Sequence, residues 1–208
     1  MTLDLRRGAP DLSAVLLPGE RPLALERIGE PLIGQDRIDN RARRAEGARR
    51  RQADGSRPRS RAASIALAPV TGLLALIGGP SWGVDFDRLL GGIISDGEPG
   101  SLADQLRQAV AASGINEAQL LITDRRLALT RADSIPPVGT QARAELAFAV
   151  DRTAVTALTR RGWLLQRGRL RVAFADGSWT AVLTGMFATR AARRLIAAHH
   201  GAATTRPQ

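Results

Sequence analysis

The stretch LLITDRRLALT, residues 120–130, sets one acid and two arginines in the middle of an otherwise apolar run. Leu120 and Ile122 alternate with Leu121 and Thr123, Asp124 and Arg125 suit a tight turn, and Leu127 and Leu129 resume the alternation on the return. Side chains that point to alternate faces around a turn describe a β-hairpin. Aspartate at such a turn hydrogen-bonds the backbone ahead of it, and paired arginines at the tip are expected to stay solvated. The hairpin alone accounts for all three charges.

The pattern continues downstream. AELAFAV, AVTALTR, GRLRVAFA and SWTAVLT are short runs rich in β-branched and apolar residues, and ADGS at residues 175–178 is a hairpin turn. FATRAARRLIAAHHG places Phe187, Ala191, Leu195 and Ala198 on one face and stops at Gly201, which predicts a helix over 187–200. Upstream, the Pro-Gly turn in LLPGE precedes an apolar segment that reads as a strand at about 22–33. In SLADQLRQAVAASG, Ser101 can N-cap, Asp104 falls in the first turn, Leu102, Leu106 and Val110 share a face, and Gly114 can end the helix, predicting a helix over 101–113.

LLPGE, LLITDRRLAL and GRLRVAFADGSWTAVL followed by a C-terminal helix resemble the bacterial pleckstrin-homology-like and GRAM-like domains. The resemblance implies a mainly β, α+β fold. It would be a bent antiparallel sheet or partly open barrel of about seven strands with a C-terminal capping helix and a long insertion after the first strand. The domain would span 15–201, with strands 2–7 at about 118–184, an insertion at 36–114 and a disordered tail at 202–208. Domains of this kind serve as binding platforms for lipid headgroups, peptides or other subunits, and the fold does not choose among them.

The insertion divides by composition. Residues 37–61 hold ten arginines against Asp39, Glu46 and Asp54, which is +7 of the chain's net +10. They lack an apolar periodicity, so a disordered or loosely helical solvated segment is expected. Residues 62–95 are apolar and glycine-rich, and 62–84 carry no charge. A membrane crossing there would place the first strand and the other six on opposite sides of a bilayer, so a cover packed on the sheet is preferred to a span or to a shallow dip into the interface.

Composition narrows the chemistry. The chain has 208 residues, 44% hydrophobic and only 3% aromatic, so its core must be aliphatic. It contains no cysteine, which excludes disulfides, thiolate metal sites and thiol catalysis. All 30 basic residues are arginine, a bias that GC-rich coding alone would produce. The expected location is cytoplasmic, peripheral at the inner membrane face, because no uninterrupted signal-peptide apolar region is present.

Arg41, Arg43, Arg44, Arg49, Arg50 and Arg51 are the foremost anion or lipid-binding candidates, with Arg125 and Arg126 secondary. An anionic phospholipid surface is the favoured partner and a non-enzymatic binding or scaffolding module the favoured function. The alternative is a protein-interaction adaptor in which the Arg-rich segment is a passive linker, and nucleic-acid binding ranks third because no aromatic platform accompanies the run. Arg160, Arg161, Arg167, Arg169 and Arg171 read as an exposed rim of turns and strand ends, or as an anion-binding mouth. GPSWG at residues 79–83 fits the G-x-S-x-G pattern around Ser81, but its surroundings read as antiparallel hairpins, so hydrolysis is least favoured. His199 and His200 sit at a helix end without nearby carboxylates, so no metal or other cofactor is expected.

Overall fold

The computed structural model describes residues 10–32, 34–53, 92–114, 117–132, 142–162, 166–186 and 189–201. Their fold is mainly β, of the α+β class. The strands are β1 (Pro22–Arg27), β2 (Gln35–Asp36), β3 (Ile93–Asp96), β4 (Ala118–Thr123), β5 (Arg126–Ala132), β6 (Ala144–Asp151), β7 (Val155–Arg160), β8 (Arg169–Phe174) and β9 (Trp179–Leu183). The helices are α1 (Arg37–Ala53), α2 (Leu102–Ala112) and α3 (Arg190–Gly201). One sheet has the order β1-β4-β5-β6 and the other β2-β3-β9-β8-β7, and among the described residues neither closes into a barrel.

The opening hairpin forms as its alternation predicts, with Leu120 opposite Leu129 and Ile122 opposite Leu127. Every residue of β4 is buried, because this strand lies between two apolar layers. Leu120, Ile122, Leu127 and Leu129 enter the main core with Leu106, Leu158, Leu170, Val172 and Leu195. Leu121 and Ala128 face the other way, onto Leu12, Val15 and Ala144. A strand between two apolar layers reads as a continuous apolar run rather than an apolar–polar alternation.

The strand expected at 22–33 ends at Arg27. Two residues later Gly29 exchanges two backbone hydrogen bonds with Leu183, at 2.9 and 2.8 Å, so the chain passes from the first sheet to the second. The insertion then adds β2 and β3 to that second sheet, through β9. Neither was foreseen, because two and four residues carry no readable period.

Helix α2 forms where predicted, and the ADGS hairpin holds its start. Leu102 N–H donates to Asp176 Oδ2 at 2.9 Å, Ala103 N–H to Ser178 Oγ at 3.1 Å, and Asp104 N–H to Ser101 Oγ at 3.4 Å. These three contacts satisfy donors that a helix leaves open at its first turn. The approach is close at Gly97, where a Cβ would stand 2.7 Å from that of Ser178. Helix α3 packs on β1 and β7 and buries Ala192 and Leu195. Ala191, expected on that face, is only half-buried because the packed edge of the helix runs through Ala192 and Leu195; Phe187 lies outside the described residues.

Residues 54–61, the uncharged run 62–84 with Ser81, and the tail 202–208 lie outside the described residues.

Candidate functional site

Helix α1 carries all six foremost arginines. The segment expected to be disordered or loosely helical is a 17-residue helix over Arg37–Ala53. Asp36 Oδ1 accepts from Asp39 N–H at 3.0 Å, capping the first turn. Pairs four apart support the shaft, Asp39–Arg43 at 3.9 Å and Glu46–Arg50 at 2.9 Å. Arg50 and Arg51 lie in the last turn, where positive charge is favoured. Ile38 is the only buried residue of the helix, so tertiary packing holds its base and local interactions hold the remainder.

The six do not play equal parts. Arg41 anchors the helix base, with Nη1 2.9 Å from Asp96 Oδ1, 3.7 Å from Glu98 Oε1 and donating to Gly97 O at 2.6 Å. Arg37 reaches the same Asp96 at 3.0 Å. Arg43, Arg44, Arg49, Arg50 and Arg51 are exposed. Arg43 and Arg50 have only intrahelical carboxylate partners, Arg51 donates to Gly47 O at 3.1 Å, and Arg44 and Arg49 have no ion pair among the described residues. Exposed pairs of this kind hold a side chain by well under about 1 kcal/mol, which leaves all five free to face an external anion.

Arg125 and Arg126 part company at the hairpin tip. Arg125 is exposed. Arg126, expected to be solvated with it, is buried at 9% exposure. Its guanidinium grips Glu20 twice, Nε to Oε1 and Nη2 to Oε2, both at 2.8 Å, and Nη2 also donates to Val15 O at 2.5 Å. The Thr123 hydroxyl donates to Glu20 Oε1 at 2.6 Å and Leu17 N–H donates to Oε2 at 2.8 Å. Burial alone would raise the Glu20 pKa, but the Arg126, Thr123 and Leu17 hydrogen bonds outweigh it and hold the carboxyl at about 2. Gly19, at φ +72°, makes the turn that returns Glu20 to the sheet. Arg126 is therefore a structural partner of Glu20. No hydrogen bond or ion pair joins either tip arginine to α1 among the described residues, and in the first sheet the insertion leaves from the opposite end, where Arg27 pairs with Gln119.

The arginines around β7 and β8 differ in burial. Leu170, Val172 and Phe174 enter the core, so Arg169 and Arg171 between them point away from it. Arg169 is buried and donates to Ile93 O. Arg171 lies on Trp179, its guanidinium carbon 4.1 Å from the ring centroid. Burial lowers the Arg171 pKa, the Arg161 charge lowers it further, and Asp96 opposes both. Arg160, Arg161 and Arg167 are exposed.

Asp176 belongs to the hairpin turn and the α2 cap. Burial would raise its pKa, but hydrogen bonds from Ser178 and Leu102 prevail and keep it below the ordinary value. His199 is neutral near pH 7, pushed down to about 4 by burial, the Arg152 charge and His200. Among the described residues no group of three or more His, Asp or Glu could hold a metal ion, and no helix is long and apolar enough to cross a membrane. No family model, curated protein or solved structure matches the chain.

Proposed function

We propose that the protein is a non-enzymatic binding module of pleckstrin-homology-like architecture that attaches peripherally to an anionic membrane surface through helix α1. The exposed arginines of α1 carry the reading. Arg43, Arg44, Arg49, Arg50 and Arg51 stand on a helix that touches the rest of the molecule at its base, and the helix holds seven arginines against two acids, Asp39 and Glu46. Near an anionic leaflet each arginine contributes about 1 kcal/mol, and a shared rigid helix presents them without the ordering cost of a flexible linker.

The architectural part draws support from strand order. The first strand joins a meander of β4, β5 and β6, a second meander of β7, β8 and β9 follows, and α3 lies across β1 and β7. The LLPGE and LLITDRRLAL motifs meet in the Glu20–Arg126 pair.

Co-sedimentation tests the membrane reading. The intact protein and a variant with Arg43, Arg44, Arg49, Arg50 and Arg51 all changed to Gln are mixed with phosphatidylcholine vesicles, with and without phosphatidylglycerol, across a salt series. The expected result is salt-sensitive pelleting of the intact protein on anionic vesicles alone, lost in the variant. Equal pelleting of both proteins refutes it, and binding to a nucleic-acid duplex but to no vesicle moves the reading to nucleic acid.

A further inference from the structure

The outward face of the second sheet holds a cationic arrangement that folding alone does not require. In β8, Arg171 sits opposite Thr159 of β7 on one side and Ala181 of β9 on the other. Arg161 N–H donates to Arg169 O at 3.0 Å, which continues the β7–β8 ladder one residue past Arg160 and sets Arg161 diagonally beside Arg171 on the same face. Like charges on adjacent strands of one face repel each other. The nearby carboxylate does not remove the conflict, because Asp96 is already bound by Arg37 at 3.0 Å and Arg41 at 2.9 Å.

Three observations suggest that the conflict serves a ligand. The Trp179 ring supports the Arg171 guanidinium, which orients its fork and removes part of its water. The Arg171 Nε is buried and has no hydrogen-bond acceptor among the described residues, a state that folded proteins rarely leave unexplained. Arg161 is exposed and has no ion pair among the described residues.

We propose that Arg161 and Arg171, the latter laid on Trp179, bind the phosphate group of a phosphomonoester on the outward face of the second sheet. Two guanidiniums match a monoester, which carries nearly two negative charges at neutral pH, better than a phosphodiester or a carboxylate carrying one. The phosphate could belong to a soluble ligand or to a lipid headgroup, since the site adjoins the base of α1 through Asp96. The site is separate from the exposed arginines of α1, and the two readings stand or fall apart.

The test uses the intact protein, Arg161→Gln and Arg171→Gln. Calorimetry with glycerol phosphate measures the soluble arm, and thermal melting without ligand monitors the fold. The expected result is saturable binding that each substitution weakens at least about tenfold, the scale of one charge-assisted hydrogen bond. Arg161→Gln is also expected to leave the unliganded melting temperature unchanged or raised, because it removes a repulsion. The five-glutamine α1 variant is expected to bind glycerol phosphate as the intact protein does.

Vesicles containing phosphatidic acid or phosphatidylglycerol at equal charge form the lipid arm. A loss caused by Arg161→Gln on phosphatidic acid alone identifies a lipid monoester, and a loss confined to glycerol phosphate identifies a soluble one. The proposal is overturned by unsaturable binding in both arms, by less than threefold weakening in Arg161→Gln, by equal losses on both lipids, or by an unliganded Arg161→Gln that melts several degrees lower.

Discussion

Replacing Arg126 with Met leaves the Glu20 carboxylate buried among Val15, Leu17 and Thr123 without its cation. The cost can be reached by two routes. Removing one member of a buried ion pair costs about 3–5 kcal/mol. Independently, the folded state holds the Glu20 pKa at about 2 rather than 4.5, which at 1.36 kcal/mol per pKa unit amounts to about 3 kcal/mol. The second figure is the net of burial and of the Arg126, Thr123 and Leu17 bonds together, so the first sets the expected loss on removing Arg126, about 3 kcal/mol at pH 7, against a typical total of about 5–15 kcal/mol. Because the folded pKa is depressed, the stabilisation is complete above pH 4.5 and fades as the pH falls toward 2. At pH 3 about three-fifths of it is gone, so the gap between parent and variant should narrow to about 1 kcal/mol. Urea unfolding at pH 7 and pH 3 measures both numbers, and a cycle with Glu20→Gln isolates the coupling between the pair. A loss under about 1 kcal/mol at pH 7, or a loss that does not change with pH, would refute the reasoning.

Other outcomes follow from the same contacts. Asp176→Ala removes the acceptor for Leu102 N–H and for Ser178 and should lower stability by about 1 kcal/mol, the usual worth of a helix cap, with an unchanged melting temperature contradicting the capping role. Gly97→Ala forces a methyl against Ser178 at φ +151° and should cost more than about 1 kcal/mol in chemical unfolding; a neutral result would mean that the β3–α2 connection yields freely. His199, with its folded pKa lowered to about 4, takes up protons more readily unfolded, so stability should fall as the pH drops from 6.5 toward 4. The effect is at most about 1–2 kcal/mol once screening of the half-exposed ring is allowed for, and His199→Gln should flatten that part of the profile, with the imidazole titration itself followed by NMR.

What could be read in advance was local. The 120–130 hairpin and the ADGS turn declare themselves through alternation and turn chemistry, and α2 through a cap, a stripe and a stop. Helix α1 was illegible because it has no apolar stripe; an aspartate cap and carboxylate–arginine pairs four apart hold it instead. Strands β2 and β3 exist only because β9 has an open edge to extend. Arg126 was misjudged because its partner lies 106 residues away, although the acid after the Pro-Gly turn was a visible signal that a buried cation should be sought. Arg161 and Arg171 were visible as turn and strand-end charges, but only the β7–β8 register sets Arg161 diagonal to Arg171, whose guanidinium lies on Trp179.

The joining of β1 to β4 also bears on the order of events during folding. About ninety residues separate the two strands, yet loop closure grows only logarithmically, at about 0.6 kcal/mol for each doubling of length. The insertion is thus cheap at equilibrium while its contacts remain distant in sequence, and distant contacts slow the search. The hairpins from β4 onward can assemble from neighbours, whereas β1 must wait for Thr123 and Arg126 before Glu20 has anything to hold. Until then the leucine-rich edge of β4 stands open, and β1 depends on partners made about ninety residues after it.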